Sequence, residues 1–422
     1  MLDIKFIREN KDLIASGAKK KHLDFDVEAL IRVDDKRREI QTKAEAKRAE
    51  QNSFSDRIAS EKDSHKREQM ISEMKLVKEE FQKDEEELKT VMMEWQNLMV
   101  QVPNIPDISV PEGKDDSQNV EVKKWGEIPQ FSFEAKSHVE LMFTHDMADF
   151  DRGTKVAGFR GYFLKNDGAL LSFALWQYAQ QFFLSKGFTP IIAPSLVRRE
   201  AFLGTGYLPQ GEDDLYKTQD GDYLTGTAEV GVMAYHMDEV LPKSELPKKF
   251  LGFSPCFRRE AGSHGKDTKG LIRVHEFYKL EQVALCEANH ELSVQLHEEL
   301  TRNSAEFLET LQIPYHIVIN CGGDLGLGQV KKCDIEAWVP FEKKYRETHS
   351  SSYFHDFQTR RLNIRYKDDE GKMHFAHSLN NTAIATPRVL VALVENYQQG
   401  DGTIAIPEVL QPFMGGRSFI GK

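Results

Sequence analysis

Residues 27–100 constrain the fold most strongly, because this long, charged stretch contains no glycine or proline. In its second half, apolar residues recur at steps that alternate between four and three. These residues are Met70, Met74, Val77, Phe81, Leu88, Val91, Trp95 and Leu98, with Asp84 in the one place that lacks an apolar side chain. A heptad pattern of this kind predicts a long helix with a narrow apolar seam.

The first half of the stretch repeats the pattern in a weaker form. Its apolar members are Val33, Ile40, Ala44, Phe54 and Ile58, and its interruptions are Arg37, Lys47 and Gln51. Residues 60–67 are polar and suit a reversal of the chain. We therefore predict an antiparallel helical hairpin over about residues 27–100, with arms of roughly 45–55 Å at about 1.5 Å per residue. A dimerising or spacer coiled coil would show the same pattern, so the residues alone leave that alternative open.

The segments on either side of the hairpin divide the chain. Before it, the pattern predicts one short helix over residues 3–16, ended by Gly17. After it, Pro103 and Pro106 interrupt helix, and polar residues follow. The expected divisions are an N-terminal domain over residues 1–103, a linker over residues 104–119 and a globular domain over residues 120–422.

Composition limits the partners and the compartment. The net charge of -11 disfavours bulk nucleic-acid binding but allows a local basic surface. The four cysteines, scattered without a C-x-x-C pair, lead us to expect neither a disulfide framework nor a zinc site. No apolar window approaches the ~20 residues of a membrane span, and the first residues lack the apolar segment of a signal peptide. We expect a cytoplasmic protein without a membrane partner.

Residues 256–277 carry the strongest chemical pattern. Apolar residues precede this stretch, alternating residues end it, and a small polar loop with three glycines lies between. The pattern predicts two strands joined by a long, mobile loop. The side chains that two such strands could aim into one pocket are Arg258, Glu260, Arg273 and Phe277. They offer guanidinium forks for phosphate, a carboxylate for an exocyclic amine and a ring to stack on a base. For either arginine alone, a solvated surface hairpin is an equal alternative.

Taken as a phrase, this stretch resembles a known motif. Phe-Arg-x-Glu, Ala-Gly-Ser and Gly-Leu-Ile-Arg-x-His-x-Phe follow one another as in motif 2 of the class II aminoacyl-tRNA synthetases, in the seryl form of bacterial type. Residues 169–194 resemble motif 1, a dimerisation element, and residues 377–396 resemble motif 3. The resemblance implies an α+β fold, in which an N-terminal antiparallel coiled-coil arm precedes an antiparallel sheet flanked by helices.

The resemblance also implies roles for individual residues. The implied ATP-binding residues are Arg258, Arg259, Glu260, Arg273, Val274, Phe277, Glu347, Thr348, His349, Ser350 and Arg388. The implied serine-binding residues are Thr227, Ala228, Glu229, Arg258, Glu281 and Thr382. Arg258 and Arg388 would be catalytic, and Glu347 and Ser350 would bind Mg²⁺, which prefers hard oxygen ligands. The positions that depart from the family pattern are Gly226, His349, Asn381 and Thr386-Pro387.

The implied activity is that of a serine–tRNA ligase. Such an enzyme forms seryl-adenylate and pyrophosphate from serine and ATP, then transfers serine to the 3′ end of tRNA(Ser), and of tRNA(Sec) where it exists. The arm would bind the tRNA, and motif 1 would bind a second copy of the chain. Two other classes stay open: a synthetase-like enzyme that loads a carrier protein, and a coiled-coil interaction protein with an inactive core.

Overall fold

The computed structural model describes residues 1–263, 265 and 267–421. These residues form two compact units. One unit consists of Leu2–Lys19 and Leu23–Pro103, and the other of Met1, Lys20–His22 and the residues from Asn104 onward. The assignment of separate functions to the two units stays a prediction.

The first unit is helical. Its helices are α1 (Ile4–Glu9), α2 (Lys11–Lys20), α3 (Val27–Ser60) and α4 (Ser64–Met99). The prediction of one helix ended by Gly17 is wrong, because the chain breaks at Asn10 and α2 continues through Gly17 to Lys20. Gly17 is buried beside Ala18. A glycine inside a helix costs only ~1 kcal/mol relative to alanine, so a helix can continue through a buried glycine.

The predicted helical hairpin is confirmed, and its polar interruptions pair with one another. The chain reverses between Ser60 and Ser64. Lys47 Nζ lies 3.0 Å from Asp84 Oδ2, so the polar residue in each seam meets its counterpart in the other helix. The Arg37 guanidinium lies 5.0 Å from the centre of the Trp95 ring. Such polar contacts along a thin seam fix the register of two helices more than they stabilise them.

The second unit contains the large sheet. Its helices are α5 (His138–Thr144), α6 (Phe150–Ala157), α7 (Asn166–Ser185), α8 (Arg199–Thr205), α9 (Ala228–Ala234), α10 (His290–Thr310), α11 (Phe357–Leu362) and α12 (Thr386–Asn396). Its strands are β1 (Val120–Trp125), β2 (Ala148–Asp149), β3 (Phe163–Leu164), β4 (Thr189–Ile192), β5 (Leu196–Val197), β6 (Tyr216–Lys217), β7 (Tyr223–Leu224), β8 (Val240–Pro242), β9 (Lys248–Phe257), β10 (Glu276–Cys286), β11 (Tyr315–Ile319), β12 (Lys331–Val339), β13 (Lys344–His355), β14 (Arg365–Lys367), β15 (Met373–Phe375), β16 (His377–Ala385), β17 (Ile404–Ala405) and β18 (Phe419–Ile420).

Eight strands form one sheet in the order β1-β11-β12-β13-β16-β10-β9-β4. All neighbours are antiparallel except β4, which pairs parallel to β9 at the sheet edge. Helices α7, α10 and α12 share the main apolar core with the sheet. The predicted antiparallel sheet flanked by helices is therefore confirmed. In the described part of the chain, no helix combines the length and apolarity needed to cross a membrane.

Two irregularities change which side chains share a face of the sheet. Between β12 and β13, Thr348 is an extra residue, since Ile335 pairs with His349 and Glu336 with Glu347. Between β10 and β16, the register also shifts, because Glu281 pairs with Thr382 and Leu280 with Ile384. A bulge reverses the alternation beyond it. Residues three apart, rather than two, then point to the same side at these places.

A buried histidine in the core makes stability depend on pH. Burial lowers the pKa of His297 to about 4, and its Nε2 lies 3.1 Å from the Ser351 carbonyl. The unfolded chain takes up this proton near pH 6.5. The stability of the neutral form is therefore fully present above pH 6.5 and is lost as the pH falls towards 4, by about 2 kcal/mol at pH 5. The free energy of unfolding should be measured by urea denaturation at pH 7.5 and at pH 5. In His297→Gln its decrease between the two pH values should be smaller than in the parent by that amount. An unchanged loss would contradict the assignment.

Candidate active site

The β9–β10 hairpin forms the floor of the candidate site. Phe257 pairs with Glu276 at its open end, and residues 258–275 connect the two strands. Alternate residues of β10 are buried at this end of the strand, and these are Phe277, Lys279 and Glu281. The residues between the first two and before them, Tyr278 and Glu276, are exposed. The predicted strand–loop–strand arrangement is therefore confirmed. The predicted mobility of the loop concerns in part positions 264 and 266, which lie outside the described residues.

Arg258 is held at the point where the hairpin opens. Its Nε and Nη2 each donate to the Gly226 carbonyl at 3.3 Å. The guanidinium lies 5.4 Å from the centre of the Phe277 ring. The backbone N–H of Arg258 donates to the His275 carbonyl at 2.9 Å. A planar group fixed by a carbonyl and a ring face is preorganised to present its remaining N–H groups to an anion.

Glu260 and Arg273 contact each other across the connection. Arg273 Nη1 donates to Glu260 Oε2 at 2.7 Å. Asp267 lies beside the same arginine, at 3.6 Å from its Nε, and accepts from Arg346 Nη2 at 2.6 Å. Glu260 adopts a positive φ of 56°, which turns the chain sharply out of the strand. Two of the predicted nucleotide ligands are thus placed together by an ion-pair network.

Arg388 and Glu347 meet at the opposite wall. Arg388 Nη1 donates to the Glu347 carbonyl at 3.0 Å and lies 3.2 Å from Glu347 Oε2. Its Nε donates to the Ile272 carbonyl at 3.3 Å. The protein atoms around the half-exposed Glu347 carboxyl oppose its ionisation, but the charges of Arg388, Lys332 and Arg258 outweigh this desolvation and lower the pKa of Glu347 to about 2. The carboxylate is therefore ionised at neutral pH.

Glu347 and Ser350 fit the chemistry of a magnesium site. The extra residue at Thr348 puts positions 347 and 350 on the same face of β13. The Glu347 side chain is 44% exposed and can reach a ligand. Among the described residues, no group of three or more His, Cys, Asp or Glu side chains is arranged to hold a metal ion. Mg²⁺ needs only one or two protein oxygens when phosphates and waters complete its shell.

A buried acidic cluster, formed by Glu229 and Glu281, lies beside the cleft. Glu281 pairs with Thr382 in the sheet and forms an ion pair with Lys279. Burial raises the pKa of Glu281, against the opposing charge of Lys279. Thr227 caps α9, and its hydroxyl accepts from the Glu229 N–H at 3.3 Å. Ala228 and Glu229 begin that helix and are buried. The acidic cluster therefore combines two carboxyl groups with the hydroxyl groups of Thr227 and Thr382.

Nine of the sixteen predicted site residues line one cleft, and the seven that do not are Thr227, Ala228, Glu229, Arg259, Glu281, His349 and Ser350. Those lining one cleft are Arg258, Glu260, Arg273, Val274, Phe277, Glu347, Thr348, Thr382 and Arg388. The Arg259 side chain is exposed to solvent and lies outside this cleft. The His349 side chain is fully buried, and its Nδ1 lies 2.8 Å from Thr348 Oγ1. Sequence reasoning missed Tyr207 and Gln358, which both bond the Glu229 carboxylate.

The departures from the family pattern do not obstruct the cleft. A Cβ at Gly226 would lie 3.4 Å from Arg258 Cγ, an ordinary contact. Asn381 points away from the cleft, since its Nδ2 donates to the Leu300 carbonyl at 2.6 Å. The Thr386 hydroxyl donates to the Tyr278 carbonyl at 3.0 Å and accepts from the Trp176 indole. The bond between Thr386 and Tyr278 joins motif 3 to motif 2 by a side chain that glycine could not supply.

Comparison with known proteins covers both units. The Seryl-tRNA synthetase N-terminal domain family matches residues 1–106, and the tRNA synthetase class II core domain (G, H, P, S and T) matches residues 215–397. A serine–tRNA ligase of Deinococcus radiodurans is 43% identical over 423 residues, which cover 100% of this chain and 99% of the relative.

Solved structures give the same result. Seryl-tRNA synthetase from Pyrococcus horikoshii, solved in complex with ATP, superimposes with a TM-score of 0.90 at 37% identity, covering 100% of this chain and 99% of the other. Cytoplasmic serine–tRNA ligase from Naegleria fowleri, in complex with AMP, gives a TM-score of 0.86 at 34% identity, with coverage of 100% and 98%. The chain belongs to the seryl-tRNA synthetase family of class II aminoacyl-tRNA synthetases.

Proposed function

We propose that this chain activates serine with ATP and transfers the seryl group to tRNA(Ser). A serine carboxylate oxygen attacks the α-phosphorus, and the bond to the bridging oxygen breaks to release pyrophosphate. A terminal ribose hydroxyl of the tRNA then attacks the carbonyl carbon of the adenylate and releases AMP. The observation that carries the proposal is the convergence of Arg258, Arg388 and Glu347 on one cleft.

The cleft suits the first step because that step needs no protein base. The serine carboxylate is already ionised at neutral pH, so catalysis consists of positioning and charge stabilisation. Arg258 would hold the α-phosphate and the substrate carboxylate, and Arg273 and Arg388 would hold the outer phosphates. Phe277 would stack on adenine, and Glu260 would accept from its exocyclic amine. The ion pairs of Glu260–Arg273 and Glu347–Arg388 keep these groups within reach of one ligand.

Magnesium would be held by Glu347 and Ser350. When bound, it would neutralise charge on the phosphates. In this proposal the protein supplies an ionised carboxylate at position 347 and a hydroxyl on the same face of β13. Both are hard oxygen ligands, and Arg388 beside them orients the carboxylate.

Serine selection would come from a pocket beside the acidic cluster of Glu229 and Glu281. Glu229 would accept from the substrate ammonium, and Glu281 with Thr382 would bond the substrate hydroxyl. A site built to hydrogen-bond a hydroxyl rejects analogues that lack it by large factors, because a buried polar group is then left unpaired. Alanine and glycine would be rejected in this way, and threonine would be rejected by the size of the pocket.

The arm would supply the tRNA-binding surface. Lys36 pairs with Glu87, and Lys43 pairs with Glu39. Arg38, Arg48, Lys62, Lys66 and Arg67 are further exposed basic residues of the arm. Three of these five lie near the reversal of the hairpin, where a rod could reach a distant part of the tRNA. Lysine and arginine contacts to phosphate supply most of such affinity.

The test is amino-acid-dependent ATP–pyrophosphate exchange with each of the twenty amino acids, followed by charging of tRNA(Ser). Exchange with serine alone, and then serylation of the tRNA, is the expected result. Exchange with another amino acid would overturn the roles of Glu281 and Thr382. Exchange with serine but loading of a carrier protein in place of tRNA would favour the alternative enzyme class.

We also propose a homodimer through motif 1. The outer face of α7 and the edge strand β4 expose Leu170, Phe173 and Ile192, the last by 82%. A cavity of about 630 Å³, lined in part by Phe173 and Trp176, opens beside this face. Large apolar side chains exposed on neighbouring elements are typical of a protein–protein interface.

Ile192→Glu is expected to convert the dimer into a monomer, because it would place an unpaired charge at the centre of the interface. Light scattering after size-exclusion chromatography measures the change. Ile108→Glu is the matched control, since Ile108 is 98% exposed and lies outside this face. A monomeric parent protein, or a dimer that survives Ile192→Glu, would contradict the proposed interface.

A further inference from the structure

Two side chains fix the Glu229 carboxylate from opposite ends. The Tyr207 hydroxyl donates to Oε2 at 2.9 Å. Gln358 Nε2 donates to Oε1 at 2.7 Å. Glu229 itself is 3% exposed, so these bonds are made out of contact with bulk water. Each carboxylate oxygen keeps further lone-pair capacity for another donor.

Both donors are themselves held in place. Gln358 Oε1 accepts from the Ser378 hydroxyl at 2.7 Å, which fixes the direction of the amide. Tyr207 follows Gly206, which ends α8 in the left-handed conformation with a φ of 90°. The backbone N–H of Tyr207 donates to the Phe202 carbonyl at 3.0 Å. The phenol therefore reaches Glu229 from a rigid turn rather than from a loose loop.

The Tyr207 hydroxyl also lies close to the other groups of the serine pocket. Burial raises its pKa well above the usual value; Glu229 and Glu281 reinforce the shift and Arg258 opposes it. The hydroxyl is therefore protonated at every pH at which the enzyme would work, and it acts as a donor to the carboxylate. These electrostatic partners are the residues that would surround the substrate's ammonium, hydroxyl and carboxylate.

We propose that Tyr207 is a positioning residue for serine: its hydroxyl, together with Gln358, holds the Glu229 carboxylate in the orientation that receives the substrate's ammonium. The inference rests on the proposed function. Without the hydroxyl, the carboxylate is held at one end only and turns away from the ammonium. Affinity for serine then falls, while groups that do not touch the ammonium keep their affinity.

The experiment compares two adenylate mimics on the full-length Tyr207→Phe protein. One is seryl-sulfamoyladenosine, and the other is the same compound with 3-hydroxypropionate in place of serine, which lacks only the ammonium. Calorimetric titration is expected to show that Tyr207→Phe binds the seryl compound with about tenfold lower affinity than the parent. This is the usual effect of removing one hydrogen bond to a charged group. Less than a twofold loss is expected for the compound without the ammonium. In pyrophosphate exchange, KM for serine should rise by the same factor with kcat little changed.

Tyr223→Phe is the matched control. Tyr223 is also buried, and its hydroxyl donates to Glu212 Oε1 at 2.6 Å in the same part of the unit. This variant loses a phenol–carboxylate bond of the same kind but should bind both mimics as the parent does. If Tyr207→Phe lost affinity equally for both mimics, Tyr207 would have a merely structural role and the proposal would be overturned. Unchanged affinity for both mimics would overturn it as well. A parent protein that does not exchange with serine would instead refute the proposed function.

Discussion

Replacing Arg258 with lysine is expected to lower serine-dependent ATP–pyrophosphate exchange about a thousandfold, or about 4 kcal/mol of transition-state stabilisation. The guanidinium uses the Gly226 carbonyl and the Phe277 ring to fix its plane. Its remaining N–H groups can then hold two oxygen atoms at once. A lysine keeps the charge but cannot make the two parallel bonds, and its flexible stem loses the fixed direction. In the proposed mechanism this one group positions both the substrate carboxylate and the α-phosphate, so the loss should fall on the chemical step.

Arg259→Lys is the control for the same strand end. The Arg259 side chain is exposed and does not line the cleft, while its backbone N–H donates to the Asp214 carbonyl at 2.9 Å. This variant should exchange within about twofold of the parent, as surface substitutions usually do. Near-normal exchange in Arg258→Lys would refute the assignment of Arg258. A large loss in Arg259→Lys would show that the cleft extends further than its described lining.

The helical hairpin of the arm could be predicted from the sequence because its apolar residues recur at a regular spacing. Steps of three and four define the seam without reference to any other part of the chain. The interruptions at Lys47 and Asp84 looked like faults in the pattern. In the folded arm they form one ion pair, which only the pairing of the two helices could reveal.

The residues proposed to bind magnesium could be predicted from the sequence, but the face of the strand on which each lies could not. The sequence places Glu347 and Ser350 three apart, which in a regular strand puts them on opposite faces. An extra residue at Thr348 restores them to one face, and no feature of the local sequence marks it. The bulge depends on the partner strand, so it belongs to tertiary structure.

The partners of Glu229 were missed for a similar reason. Tyr207 and Gln358 lie far from Glu229 in sequence terms, and neither type of residue is unusual at its position. Their role depends on α8 and α11 being brought beside α9. A buried carboxylate must find donors, so the sequence could predict that such partners exist. It could not say which residues they are.

The second large effect is expected from shortening the arm. Deleting residues 51–76 and closing the gap with a short glycine-rich turn removes the basic residues near the reversal. It keeps Lys47 with its partners Glu80 and Asp84, so the shortened hairpin retains its register. Serine-dependent pyrophosphate exchange should stay within about twofold of the parent, while kcat/KM for charging tRNA(Ser) should fall on the order of 10²–10³-fold. In the proposed function, adenylate formation needs only the cleft, whereas charging also needs the arm to bind the tRNA.

Charge substitutions on the full-length arm test whether its basic side chains, rather than its length alone, are needed for tRNA binding. Replacing Lys62, Lys66 and Arg67 with alanine should weaken charging and reduce its dependence on salt, since each phosphate contact adds to the salt slope. Replacing Glu85 and Glu86 with glutamine alters exposed charges on the same arm and should leave charging intact or improve it. Equal losses of charging in the two sets would indicate a general disturbance of the arm rather than the loss of phosphate contacts. Normal charging by the shortened protein would mean that the hairpin is a spacer, and the tRNA contact would then have to be sought on the catalytic unit.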